Sequence, residues 1–193
     1  MSRKELTDMT LEELWQLFPI VLADHDDRWA EFFRQMRDTL AEILAPFPPA
    51  RVSHIGSTAV PGIKAKPIVD VLVELPAVGN LETAAQLLEQ NGFIRMSQSE
   101  GRISLNFGYT PDGYAQKVYH IHLRHLGDCD ELYFRDLLIA CPDIAAEYEV
   151  LKLSLWKRYE HDRDAYTAAK GDFVREWTTE AKTQYAGRYE RPE

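Results

Sequence analysis

The sequence has only two cysteines, Cys129 and Cys141, and they are not spaced as C-x-x-C. That excludes a disulfide scaffold and a zinc ribbon, and makes a reducing, cytoplasmic setting the expectation. No apolar run approaches the length of a membrane span, and the opening MSRKELTDMT lacks the apolar centre of a signal peptide, so no membrane partner is expected. Positive charge is in short supply: 22 Lys and Arg stand against 31 Asp and Glu, a formal net charge of -9. A general nucleic-acid binder needs a broad basic field, so an anionic substrate must instead be met by a local cluster. Two phosphate-binding signatures are missing as well. Counting from Gly56, a G-x-x-x-x-G-K-[ST] loop would need glycine where Pro61 stands, and Lys64 is followed by Ala65; no G-x-G-x-x-G occurs. There is no internal repeat or low-complexity segment. What remains, 193 residues at 45% hydrophobic and 27% charged, fits a single domain with a substantial core.

The informative stretch is Arg51 to Glu74, RVSHIGSTAVPGIKAKPIVDVLVE. A short β-prone run, Arg51 to Ile55, breaks at Gly56-Ser57, turns again at Pro61-Gly62, and resumes as the β-branched run Ile68 to Val73 around one acid, Asp70. Gly56 lets backbone approach a ligand closely, Ser57 offers a hydroxyl and an N–H, and Asp70 can hold a divalent cation. The glycines alone also read as turn punctuation. Asp70 is different: its apolar neighbours describe a strand covered on both faces, where an unpaired carboxylate is costly. Lys64 and Lys66, in the connection, can meet phosphates as point charges or simply be solvated. By alternation His54 falls on the face where the Gly-Ser turn opens. Asp70 and Glu74 share a face, but about 13 Å separates their Cα atoms, so they do not share one metal and Glu74 is expected near solvent at the strand end.

Along the rest of the chain, N-terminal helices are expected within residues 10–45, a mixed sheet within about 50–125, and helices within about 130–185. Thr10, with Glu13 three residues on, caps a first helix to Phe18. A second, capped by Asp26 or Asp27, carries Trp29, Phe32, Phe33, Met36 and Leu40 toward a core. Asn80 caps a helix over Leu81 to Gln90. Phe93 to Met96, Arg102 to Phe107 and Gln116 to Arg124 read as strands, the last two forming a hairpin about Pro111-Asp112-Gly113. Later helices are expected over Glu131 to Ala140, Ile144 to Tyr159 and Asp164 to about Gln184, with a fraying tail beyond Tyr185. Arg135, Lys152 and Lys170 are the candidate cations there, Lys170 standing one turn after Tyr166.

In Gln116 to Arg124, His120 and His122 point the same way from one strand, the geometry for binding one metal or acting on one substrate. The same alternation also describes a solvated sheet face.

HIGSTAVPGIKAKPIVDVLV, YHIHL and AYTAAKGDF together resemble the GrpB family of the nucleotidyltransferase superfamily, over roughly Val21 to Trp177. The resemblance implies an α/β (α+β) fold, a small mixed sheet flanked by helices, with Gly56-Ser57 in the superfamily's glycine-serine turn and Asp70 on its metal-binding strand. The superfamily's usual D-h-[DE] pair is not kept, since Ile68 and Leu72 stand two positions either side of Asp70. His120 or His122 would then take the place of a further acid. A site of Asp70, His120 and His122 would hold Mg²⁺ or Mn²⁺, with Zn²⁺ admitted by the imidazoles. The implied activity is transfer of a nucleotidyl group from a nucleoside triphosphate to a small acceptor. Gly56, Ser57, Lys66 and Lys170 would meet the phosphates, and Asp70, His120 and His122 would be catalytic. Two alternatives stand beside it: a nucleotide- or CoA-like-ligand-binding module without catalysis, and a metal-dependent hydrolase using Asp70, His54, His120 and His122.

Overall fold

The two β-branched runs become neighbouring strands. In the computed structural model, which describes residues 4–76 and 80–189, Arg51–Ile55 (β1) pairs antiparallel with Val69–Leu75 (β2). Three further strands, Ile94–Ser99 (β3), Arg102–Thr110 (β4) and Gly113–His125 (β5), complete a five-stranded mixed sheet in the order β1-β2-β5-β4-β3. β5 runs parallel to β2 and antiparallel to β4, with Thr110 opposite Gly113 at the hairpin end. Helices flank this sheet, as the resemblance implied: Leu11–Leu17 (α1), Arg28–Ile43 (α2), Leu81–Gln90 (α3), Asp130–Ala140 (α4), Pro142–Arg158 (α5), Arg163–Ala169 (α6) and Gly171–Gln184 (α7). Among the described residues no helix is long and apolar enough to cross a membrane.

Period-two patterning decides which side of the sheet does what. Val69, Val71, Val73 and Leu75 of β2 join Tyr119, Ile121 and Leu123 of β5 against Trp29, Met36 and Leu40 of α2 and Ala84, Ala85 and Leu88 of α3. Each large apolar side chain buried this way contributes about 1.5–3 kcal/mol, which makes this face the main stabilising layer. On the opposite face Ile55 and Leu72 pack on Leu132 and Leu137 of α4 and Ala181 of α7, so β2 is covered on both sides.

Local signals placed several helix starts. At α1 Thr10 Oγ1 accepts from the Glu13 N–H at 3.2 Å while Glu13 Oε2 accepts from the Thr10 N–H at 2.7 Å. Asn80 Oδ1 accepts from the Thr83 N–H at 3.1 Å and starts α3. Other expectations are corrected. The helix expected over Asp164 to Gln184 is two helices, α6 and α7, joined at Lys170. Pro142 opens α5 at its first turn, where a missing N–H costs nothing. Glu74 is not near solvent: it is fully buried and gripped by the Arg51 guanidinium, Nη2 to Oε1 at 2.8 Å with a second bond from Nε, and by the Gly127 N–H at 3.0 Å. The tail is docked as far as it is described, with the Tyr189 ring edge-on to Tyr133 at 5.0 Å.

Candidate functional site

Parallel pairing of β2 with β5 sets Asp70 beside His120 and Leu72 beside His122. Partners in register present side chains to the same face, so the acid and both imidazoles meet. Asp70 Oδ1 lies 3.1 Å from His120 Nδ1 and 3.4 Å from His122 Nε2. A chain of polar groups continues outward from His120: its Nε2 is 2.9 Å from the Tyr109 hydroxyl, and that hydroxyl accepts from Arg163 Nη2 at 2.8 Å. With Tyr109 donating to Nε2, the Nδ1–H of a neutral His120 donates to Asp70. Burial works against the charge on Asp70, but the hydrogen bonds from His120 and His122 outweigh it and hold the carboxyl well below the usual carboxylate range. Burial lowers His120 from its ordinary 6.5, against the pull of Asp70. The balance favours a charged acid and a neutral His120.

Gly56 is at this place for a steric reason. Its φ is +70°, and a Cβ there would stand 2.4 Å from Asp70 Oδ2, so any larger residue would be strained and would displace the carboxylate. Ser57 follows in a single 3-10 turn, Ser57–Ala59.

Four cations gather on the same cleft, from four different segments: Lys66 ahead of β2, Lys152 on α5, Arg163 at the start of α6 and Lys170 between α6 and α7. Tyr166 lies between two of them, its ring centroid 5.1 Å from Lys66 Nζ and 4.4 Å from Lys170 Nζ. Burial, with the charges of Lys170 and Arg163, lowers Lys66 from 10.5 to about 7. Burial lowers Lys170 to about 8, and burial with the charge of Lys170 lowers Lys152 to about 7. Among the described residues none of the four forms an ion pair with a carboxylate. Crowded, partly desolvated cations without a carboxylate ion pair among the described residues are what an incoming anion would stabilise.

The sequence candidates therefore divide. Gly56, Ser57, Lys66, Asp70, His120, His122 and Lys170 all line one cavity of about 630 Å³. His54 does not join them. β1 pairs His54 with Val71 and Ile55 with Asp70, so His54 turns to the opposite face, where it stacks on Phe33 at 5.0 Å and its Nε2 is 3.0 Å from Thr58 Oγ1. Burial lowers it to about 4. Lys64 is drawn away by an ion pair with Asp24, and Arg135 is taken up by Asp136, the His54 carbonyl at 2.8 Å and Tyr189 at 3.0 Å. Lys152 is 2% exposed and donates to the Lys64 carbonyl. Sequence reasoning missed Tyr109, Arg163 and Asn106; the last is buried beside His120 in register and has no side-chain hydrogen bond among the described residues. Arg163 stands two residues before the AYTAAKGDF segment, the one signal that could have pointed to it.

A second cavity, of about 560 Å³, opens on the same centre from the side of α4 and α7. Gly56, Ser57, Asp70, His122 and Lys170 line both.

As a cation site, the centre offers one carboxylate, Asp70, with the His120 and His122 imidazoles hydrogen-bonded to it. At 3.1 and 3.4 Å the two ring nitrogens hydrogen-bond to Oδ1, so Asp70 is the ligand a cation would use first, and its Oδ2 has no hydrogen bond among the described residues. Leu72 is fully buried where a second strand acid would stand, and among the described residues no three His, Cys, Asp or Glu side chains form a ready-made ion site. The residues fit one cation whose remaining ligands come from a phosphate substrate and water; they do not fit a pair.

The family described as GrpB protein matches residues 19–180. The chain is 36% identical over 152 residues to a UPF0157 protein of Pseudomonas aeruginosa, covering 77% of this chain and 62% of the relative's length. The crystal structure of conserved protein GrpB from Enterococcus faecalis superposes with a TM-score of 0.73 at 29% identity, covering 86% of this chain and 99% of that one. A structure of Cid1 in complex with the UTP analog UMPNPP superposes with a TM-score of 0.53 at 14% identity, over 84% of this chain and 50% of that one, a likeness of fold.

Proposed function

Because the chain belongs to the GrpB family and has a nucleotidyltransferase-like fold, we propose that it transfers a nucleotidyl group from a nucleoside triphosphate to a small acceptor, with one divalent cation held by Asp70. The observation that carries this reading is the meeting of a charged, backbone-wedged acid with Lys66, Lys170 and Arg163, none in a carboxylate ion pair among the described residues, in one cleft. An acid and a cation cluster in the same cavity are complementary to a metal-bound polyphosphate.

In the proposed reaction Lys66, Lys170 and Arg163 orient the triphosphate, while the backbone at Gly56 and Ser57 lies along it. The cation, when bound, neutralises phosphate charge and polarises the reacting phosphorus. The acceptor enters from the second cavity. Its hydroxyl oxygen bonds to the α-phosphorus, the bond from that phosphorus to the bridging oxygen breaks, and pyrophosphate leaves. His122 lines both cavities and its Nδ1 has no hydrogen bond among the described residues, so it takes the acceptor's proton while Nε2 remains against Asp70.

The test is turnover of α-labelled nucleoside triphosphates, with Mg²⁺ or Mn²⁺, against a panel of small hydroxyl compounds. Wild-type protein is expected to form labelled adducts and release pyrophosphate, and Asp70→Asn none; undiminished turnover in Asp70→Asn overturns the reading. The buried Leu72 favours a second reading, a binding module that keeps the cleft without catalysis. Metal-dependent nucleotide binding with no product from any acceptor would select it. The hydrolase set loses one of its four members, because His54 faces the other side of the sheet.

A further inference from the structure

The larger cavity has an end that this reaction leaves unassigned. Part of its lining is apolar: Leu11, Leu14 and Trp15 of α1 with Phe18, Ile94 and Met96. α1 stands apart from the core: none of its seven residues is buried, and Leu11 is 59% and Met96 54% exposed. Yet it is well fixed. The capping box holds its start, and just past its end Phe18 is buried against Tyr109 at 4.7 Å and Tyr114 at 5.1 Å. A pre-set apolar surface facing a cavity is one wall of a ligand site. Charge fixes the ligand's direction, since its anionic end belongs with Lys66, Lys170 and Arg163. The apolar α1 side chains suit the uncharged part of such a ligand.

We propose that α1 is a nucleobase platform, with Trp15 and Leu14 covering the base of the bound triphosphate; this rests on the nucleotide reading above. α1 lies ahead of the residues 19–180 that match the family. Trp15 offers the largest ring on that wall, and a ring face accepts any base. Phe18 ties the helix to Tyr109, and through it to His120, so the base end and the reacting end are mechanically joined.

The experiment is calorimetric titration, with Mg²⁺, of ATP, GTP, CTP, UTP and inorganic tripolyphosphate into the full chain and into Trp15→Ala and Trp15→Phe, with circular dichroism to confirm folding. The tightest nucleotide is expected to bind about tenfold or more tighter than tripolyphosphate, the advantage that stacking on an aromatic ring supplies. Trp15→Ala should remove most of that margin and leave tripolyphosphate affinity unchanged, while Trp15→Phe keeps most of it. If tripolyphosphate binds as tightly as every nucleotide, or Trp15→Ala binds nucleotide like the wild type, the platform is overturned while the cationic end stands. If Trp15→Ala weakens tripolyphosphate equally, α1 acts by supporting the phosphate end, and the platform is again overturned. Binding of neither ligand to the wild type sinks the platform and the nucleotide reading together.

Discussion

Two acids of one strand, Asp70 and Glu74, point to the same side of the sheet and have opposite fates. Glu74 is sealed from solvent and held by Arg51 and the Gly127 N–H, a closed pair with nothing to offer a ligand. Asp70 is charged too, but its partners are imidazoles, its second oxygen is free of hydrogen bonds among the described residues, and two cavities open on it. Burial of a charge is therefore not the mark of a site in this molecule. The mark is a buried charge whose partners leave it something to do.

Breaking each acid should separate stability from activity. Asp70→Asn is expected to lower nucleotidyl transfer by about 10²–10³ or more, the scale of losing a preorganised electrostatic group, while leaving urea unfolding close to wild type. Glu74→Ala should do the reverse. It strands Arg51 in a part-buried position and should cost about 3–5 kcal/mol in the same urea titration, with nucleotide affinity retained by the folded fraction. Equal losses in both assays for both variants would erase the distinction.

Gly56→Ala sharpens the comparison from the backbone side. Positive φ alone costs about 1–3 kcal/mol for a residue with a Cβ, and the new atom displaces the Asp70 carboxylate, so metal-dependent nucleotide binding should be lost along with some stability. The same substitution at Gly62, at φ +79° with open space around it, should cost stability alone.

Lys66→Met tests the cations by pH. Burial lowers Lys66 from 10.5 to about 7 in the folded chain. Between those values the unfolded chain holds a proton that the folded chain does not, so stability rises with pH across that window and the full penalty applies below about 7. Lys66→Met should thus melt above the wild type at pH 6 to 7, and the difference should close toward pH 10. Tripolyphosphate affinity of the wild type should move the other way, falling as pH rises through about 7 to 8 and Lys66 and Lys170 lose their protons. The smallest effect is expected of Tyr109→Phe, which cuts the link from Arg163 to His120. Turnover should fall by about tenfold, less than the roughly 10²–10⁴ of losing a general acid or base outright, with tripolyphosphate affinity unchanged.

Local chemistry made much of this legible in advance. The Gly-Ser bend, the acid within a β-branched run and the alternating histidines each express their geometry within a few residues, and the caps at Thr10 and Asn80 are complete in sequence. Register is not local. The run Val52, His54, Gly56 suggests one face for His54, but only the pairing of Ile55 with Asp70 decides it, and it decides the other way. Glu74 reads as a strand-end acid because its partner, Arg51, stands opposite it on β1, 23 residues earlier. Tyr109 and Arg163 meet across 54 residues, and no spacing rule joins them. The break between α6 and α7 at Lys170 was hidden because AYTAAKGDF is helical on both sides of it.

The twin approach to Asp70 bears on the order of events. With one opening past Lys66 and Arg163 and another between α4 and α7, the two reactants have separate doors to a shared threshold. On the proposed reaction neither has to wait for the other to arrive or depart, and initial-rate kinetics with both reactants varied should then show a random-order pattern.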